Sequence, residues 1–228
     1  MYQGKEANAG PAAEICERVW LSIAERKLRP GTRLKEEQLA EVFDVSRARV
    51  RQALAMLESD GLVTILPNRG AFVAEPGVDA ARDVFHFRRQ VEARVLERLI
   101  ATIDDKDIPR LEAHLAMERD ADSRGDTTAT IRLSGGFHLL LAELSGSAFL
   151  TSMLRDLISR STLITTMYRR QVHHNCGPDE HAALIESIRD RDLERAIPLM
   201  EAHLRHVEDE LDLTEGVPVM RDLRDALV

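Results

Sequence analysis

Residues 28–74 are cut by chain-stopping signals at intervals too short for anything but small elements. Pro30-Gly31 ends a helical run over 12–27, in which Ile15, Val19, Trp20 and Ile23 share one stripe. Glu36–Phe43 is a short second helix, closed by a tight turn at Asp44-Val45. Ser46 is a good N-cap for a third helix running to about Ser59, and Gly61 ends it. Leu62–Leu66 and Ala71–Ala74 are short β-prone runs joined by Pro67-Asn68-Arg69-Gly70, a hairpin turn.

Helix, helix, turn, helix, hairpin is the order of a winged helix-turn-helix. Composition supports a helical chain. Apolar residues make up 44% but aromatics only 4%, which favours aliphatic helix packing over an aromatic-rich sheet. After Glu75-Pro76-Gly77, read as a linker, nearly everything has helical period. The expected helices are 79–102, 105–124, 127–145, 147–172, 179–190 and 192–213, with 214–228 left as a tail able to form a short extra helix. The expected fold is mainly α: a winged helix-turn-helix DNA-binding domain over 1–75, and an all-α antiparallel helical bundle over 79–228 that binds ligand and dimerises.

The net charge of −8 argues weakly against a nucleic-acid partner, but its distribution reverses the argument. Residues 1–74 hold 11 Lys/Arg against 10 Asp/Glu, while 75–228 hold 20 against 29, so all the excess acid lies in the second part. Residues 45–57 contain Arg47, Arg49 and Arg51 and no acid. On a helix over 46–58, Val50, Ala53, Leu54 and Leu57 cluster on one side. Ala48 and Gln52 lie opposite, flanked by Arg49 and Arg51. A DNA major groove admits such a helix, and arginine forks pair with guanine edges or phosphates. Ser46 at the helix N-terminus is placed to hold a phosphate. Asn68, Arg69 and Gly70 of the wing would touch the backbone or minor groove. The plain alternative is a solvated face with three arginines, and the element order tells against it.

No run approaches the roughly 18 apolar residues that span a bilayer, and the N-terminus lacks the apolar core of a signal peptide, so a cytoplasmic location without membrane contact is expected. Cys16 and Cys176 are too few for a disulfide framework or a thiolate zinc cluster.

The run LRPGTRLKEEQLAEVFDVSRARVRQALAMLESDGLVTILPNRGAFVA resembles the DNA-binding domain of the GntR superfamily of bacterial regulators. The match falls at Pro30-Gly31, Leu34, Leu39-Ala40, Val45-Ser46-Arg47, Val50-Arg51, Ala53-Leu54, Leu57, Gly61-Leu62 and Arg69-Gly70-Ala71. Arg49 stands where the family usually has proline, and Gln52 where it usually has glutamate; both changes add positive charge to the third helix.

Eight histidines are present, at 86, 114, 138, 173, 174, 181, 203 and 206. His138, His181 and His203 each border an apolar stripe on a different expected helix. Three such residues either meet in the bundle core or are unrelated, separately satisfied side chains; spacing alone favours the second. His173, His174 and Cys176 have no matched spacing and read as surface residues. The C-terminal part resembles the FCD effector domain of the FadR branch of GntR regulators. The resemblance rests on Arg88 and Glu92 of the first helix, Phe137-His138, Glu180-His181 and His203-Leu204. It implies a divalent metal, zinc or nickel, on an aspartate and three histidines, with a small organic acid completing the coordination. Here Ser134 takes the aspartate's place, so His138, His181 and His203 remain while the anionic ligand is missing. Arg88 is either an internal partner of Glu92 at i+4 or a clamp for the effector's carboxylate. Arg88, Glu92, Ser134, His138, His181 and His203 are the expected effector site.

These features lead to a ligand-responsive, sequence-specific transcription regulator, a repressor, that binds a palindromic double-stranded operator as a homodimer. The alternative is a metal-dependent enzyme using the His138/His181/His203 cluster. It is disfavoured because no HExxH, nucleophile elbow or cofactor loop is present. A metal sensor is disfavoured by the weakened ligand set. Gly135 and Gly136, inside the helix that carries His138, are unexplained at this level beyond allowing a close approach.

Overall fold

The computed structural model describes residues 10–169 and 177–214. These divide into two compact units: one of 10–81 with 159–168 and 213–214, the other of 82–158 with 169 and 177–212. The sequence does not disclose the assignment of 159–168.

In the first unit α1 (Pro11–Ala24) packs on α3 (Arg47–Ser59), and α2 (Glu36–Val42) packs on α3 from another side. Ile15, Val19, Ile23, Leu39, Val50, Leu54 and Leu57 are buried, all on the stripes that helical period assigns to the core. Three local devices aim α3. Asp44, at φ 49°, takes the left-handed conformation after α2, and Val45 N–H returns to Ala40 O at 3.1 Å. Ser46 Oγ accepts from Arg49 N–H at 3.4 Å as the α3 N-cap. Gly61, at φ 72°, closes α3 with paired bonds from Gly61 N–H to Glu58 O and from Leu62 N–H to Leu57 O, both 2.9 Å. That is a Schellman motif, which buries Leu62.

The wing is β2 (Val63–Leu66) and β3 (Gly70–Val73), antiparallel, with Ile65 opposite Ala71. Asn68, at φ 60°, supplies the left-handed residue after Pro67 that a type II turn needs. A third strand, β1 (Arg33–Leu34), pairs with the other edge of β3, giving the order β1-β3-β2. The sequence reading contained only the hairpin. Two residues are too few to show strand alternation, and their partner lies far along the chain.

The second unit is helical: most of α4 (Val78–Thr102), a 3-10 turn at Asp105–Asp107, α5 (Ile108–Ser123), α6 (Thr127–Leu144), the first half of α7 (Ala148–Tyr168), α8 (Gly177–Arg189) and α9 (Leu193–Asp209). Asp126 and Asp192 cap α6 and α9 by accepting from Ala129 and Arg195 N–H groups, each at 2.9 Å. One apolar core joins Leu96, Leu99, Leu111, Phe137, Leu141, Leu154, Leu184, Ile188 and Leu204. The helix ends differ from the expected ones by a few residues. The expected helix 147–172 runs to Tyr168, and its last three residues lie outside the described ones, as do His173, His174, Cys176 and the tail beyond Thr214.

The glycine question has a local answer. A Cβ on Gly135 would sit 3.0 Å from Ile158 Cγ2, so an α7 side chain lies against α6 here with little room for a methyl. No helix among the described residues is long and apolar enough to cross a membrane.

Candidate functional site

The predicted site residues fall into two groups, one in each unit. In the first unit Ser46, Arg47, Ala48, Arg49, Arg51 and Gln52, at the N-terminal end of α3, are all exposed, as are Asn68, Arg69 and Gly70 of the wing. The arginines are not idle. Arg47 Nη2 lies 2.7 Å from Glu37 Oε1, and Arg51 Nε lies 3.3 Å from Glu36 Oε2. Arg49 Nη1 donates to Gln52 Oε1 at 2.8 Å. Arg69 lies over the Phe72 ring, 5.8 Å from its centroid. α2 thus holds the two arginines that would reach a groove.

In the second unit His138 on α6, His181 on α8 and His203 on α9 converge. All three are buried, and one ring nitrogen from each falls in a group whose members are within 4.8 Å of one another. Behind each ring stands a carboxylate. His138 Nδ1 meets Glu92 Oε2, His181 Nδ1 meets Glu118 Oε2 at 2.8 Å, and His203 Nδ1 meets Glu180 Oε2 at 2.6 Å. With those carboxylates ionised, Nδ1 carries the proton and each Nε2 keeps its lone pair. His138 Nε2 and His203 Nε2 face each other at 3.3 Å, and His181 Nε2 is buried with no hydrogen-bond partner. Two facing lone pairs and an orphaned third are unfavourable unless a proton or cation lies between them. On this observation the residues fit a divalent metal. His181 is further fixed by stacking on Phe137, centroids 4.0 Å apart.

The electrostatics follow from burial. Desolvation pulls His138 down to about 3, against the pull of Glu92, so the ring is neutral at ordinary pH. Burial also drives His181 well below the usual imidazole range. Glu92 is raised by its own burial, but Arg88 and His138 outweigh that and hold it at about 2. Arg88 gives Glu92 Oε1 two contacts, Nε at 2.9 Å and Nη2 at 2.8 Å, with both side chains buried. The i+4 pair therefore exists, and it joins Arg88 through Glu92 to His138. Burial pushes Glu118 up to about 7, with His114, His138 and His203 pulling the other way. Glu180 is raised by burial and lowered further by the hydrogen bonds from His203 and His206.

Ser134, one turn before His138, is half-buried, and its side chain makes no hydrogen bond among the described residues. The sequence reading missed Glu118, His114 and the roles of Glu180 and His206, whose Nδ1 lies 2.9 Å from Glu180 Oε1. A signal existed for Glu118. It continues the spacing of Ile108, Leu111 and Leu115 on the buried stripe of α5, where a carboxylate has no place unless something charged or donating meets it.

Comparison with known families covers both units. The model of the bacterial regulatory proteins of the gntR family matches residues 11–73, and that of the FCD domain matches 83–206. The chain belongs to the gntR family of bacterial regulatory proteins and carries an FCD domain. An HTH-type regulator in an unstable DNA locus of Streptomyces ambofaciens is 30% identical over 192 residues, 82% of this chain and 78% of its own length. The HTH-type transcriptional repressor RspR of Escherichia coli (strain K12) is 26% identical over 79% of each chain. The solved structure of E. coli McbR/YncC superposes with a TM-score of 0.77 at 19% identity, over 89% of this chain and 97% of that one, and shows the fold. This gntR-family chain is a DNA-binding transcription regulator, not an enzyme, which removes the metal-dependent-enzyme alternative for the histidine cluster.

Proposed function

We propose that this gntR-family regulator is a ligand-responsive repressor that binds a palindromic double-stranded operator as a homodimer in the cytoplasm. Residues 1–75 would carry DNA and 79–228 the effector and the dimer contact. Ser46, Arg47, Ala48, Arg49, Arg51 and Gln52 read or grip the major groove, and Asn68, Arg69 and Gly70 touch the backbone beside it. A small carboxylate effector binds in the second unit against Arg88, Glu92, Ser134, His138, His181 and His203. His138, His181 and His203 hold a divalent metal, zinc or nickel. When bound, the metal supplies positive charge that anchors an anionic effector.

One observation carries this reading: three buried imidazoles, each backed by a carboxylate, bring one ring nitrogen apiece together beside the buried Arg88–Glu92 pair. That is a donor set for a cation with an adjacent guanidinium for an anion. The similarity to a repressor such as RspR supports the direction of control. Effector binding would change the relative population of DNA-competent arrangements, and so the affinity.

The test is a gel-shift titration on the promoter of the chain's own gene cluster. Wild type is expected to bind and to be released by a small carboxylic acid, found by thermal shift with zinc present. The Arg47→Ala/Arg51→Ala double variant is expected to lose operator binding with an unchanged melting temperature. Unchanged affinity in that variant would sink the interface. Failure of every carboxylate to shift the melt would sink the effector class.

A further inference from the structure

Three carboxylates back the histidine cluster, but their charges are not equivalent. Glu92 is matched by Arg88, with side-chain exposures of 1% and 7%. Glu180 is 31% exposed and shared between His203 and His206, so solvent screens it. Glu118 differs from both. Its side chain is 3% exposed, it pairs with no lysine or arginine among the described residues, and its Oε1 is buried without a hydrogen bond. The nearest group to Oε1 with any cationic character is His114 Nε2 at 3.6 Å, which already bonds to Leu133 O at 2.8 Å. A buried carboxylate with no matching cation is costly to keep ionised. Its one firm contact is His181 Nδ1, on the far side of a ring whose Nε2 is equally unpartnered. The orphaned charge and the orphaned lone pair belong to one hydrogen-bonded unit.

We infer that Glu118 is a positioning residue for a divalent cation on the three histidines. Acting through His181, it supplies the buried negative charge that Ser134 does not. This rests on the metal reading above. The carboxylate–imidazole bond fixes the Nδ1–H tautomer and turns Nε2 toward His138 and His203. The unscreened charge also raises the donor strength of that nitrogen. A cation in the cluster then meets a negative charge one imidazole away, instead of the direct carboxylate contact that an aspartate at 134 would give. His114 belongs to the same device. Its bond to Leu133 O and its tilted contact with Phe137, 6.2 Å between centroids, tie α5 to the turn of α6 that carries Ser134.

The experiment titrates metal-stripped full-length protein with zinc against a chromophoric chelator, for wild type, Glu118→Gln and Glu118→Gln/Ser134→Asp. Glutamine keeps the size of the side chain and removes a buried charge, so folding is expected to survive; urea melts check this. Wild type is expected to bind zinc, and Glu118→Gln at least tenfold more weakly, about 1.4 kcal/mol. Adding Ser134→Asp to Glu118→Gln should return affinity to within threefold of wild type. Cobalt(II) spectra of wild type and of Glu118→Gln at saturating metal should have the same shape, because Glu118 does not touch the ion. Zinc binding by wild type with Glu118→Gln within threefold of it overturns this inference and leaves the metal reading standing. No zinc binding by wild type overturns both. A changed cobalt spectrum overturns the positioning role in favour of direct ligation.

Discussion

Arg47 of α3 and Glu37 of α2 are joined by a 2.7 Å contact in which both side chains are largely exposed, at 59% and 73%. If Arg47 serves the proposed DNA interface, Glu37 competes with DNA for it. Exposed pairs of this kind contribute about 0.2–1 kcal/mol, far less than a good arginine–base or arginine–phosphate contact. At the proposed interface DNA would therefore win the arginine but would have to displace the glutamate. Glu37→Gln is expected to tighten operator binding about two- to fivefold at low salt, in line with that energy. The gain should fade as salt rises. Fluorescence anisotropy on a labelled operator at two salt concentrations measures it. Weaker binding by Glu37→Gln would mean that the glutamate orients Arg47 for the groove.

Arg88 is the second residue whose partner decides its use. Removing its charge would strand Glu92 at the centre of the bundle, a loss of roughly 3–5 kcal/mol. The informative change is Arg88→Lys, which keeps the charge and gives up the two-pronged geometry. The variant should fold and bind operator as wild type does, while the effector concentration needed for release rises about tenfold or more. DNA release curves against effector, with a melt as control, decide it. An unchanged response would leave Arg88 as Glu92's structural partner alone.

How much of this was legible in the sequence follows physical range. The α3 segment was readable because its signals are local. Ser46 caps, Gly61 closes, and the apolar period of Val50, Leu54 and Leu57 is undisturbed. The histidines at 138, 181 and 203 were readable as candidates because each borders a stripe, but their convergence depends on how three helices pack, which period does not encode. Glu118 was overlooked because an acid on a helix normally reads as solvated surface. Only its register with Leu111 and Leu115 marks it as inward, and only the fold brings His181 to it. β1 was invisible because a two-residue strand has no period of its own and exists only through its pairing with β3.

Glu118 and His138 give the metal-free protein an unusual acid profile. Burial raises Glu118 from 4.5 to about 7, so its contribution to stability is full below pH 4.5 and is lost as pH rises through 7. His138 has the opposite sign. Burial lowers it from 6.5 to about 3, so its contribution is full above 6.5 and is lost as pH falls toward 3. Between pH 4.5 and 6.5 the two trends oppose each other, and metal-free wild type should show a plateau there, falling away below it. Glu118→Gln removes one trend. It should be more stable than wild type above pH 7, by up to about 3 kcal/mol, and should lose stability steadily from pH 6.5 downward. Urea melts of both proteins across pH 4–8, with chelator present, measure this. Parallel curves would show that Glu118 is not buried as a charge.

Gly135 is a cost that the packing of α6 on α7 requires. In a helix interior, alanine is worth about 1 kcal/mol more than glycine, so Gly135→Ala would stabilise the protein if the site were open. It is not: the new methyl would fall 3.0 Å from Ile158 Cγ2, closer than ordinary contact. Ile158 is itself buried, at 5% exposure, in the core shared with Phe137 and Leu154. Moving it costs of the order of 1–3 kcal/mol, as overpacking does. The clash outweighs the propensity gain, and Gly135→Ala alone should lower stability by about 1 kcal/mol. Ile158→Val alone should cost about 0.5–1.5 kcal/mol through the lost methyl. Combined, the two changes should cost less than their sum, because the loss of Cδ1 frees the shortened side chain to turn its remaining Cγ2 away from the added methyl. Denaturant melts of the four proteins close the cycle. A coupling energy of zero would mean that α6 and α7 can separate at this point without loss. The glycine would then have to be explained by its nearness to His138, which lies one turn on along the same face.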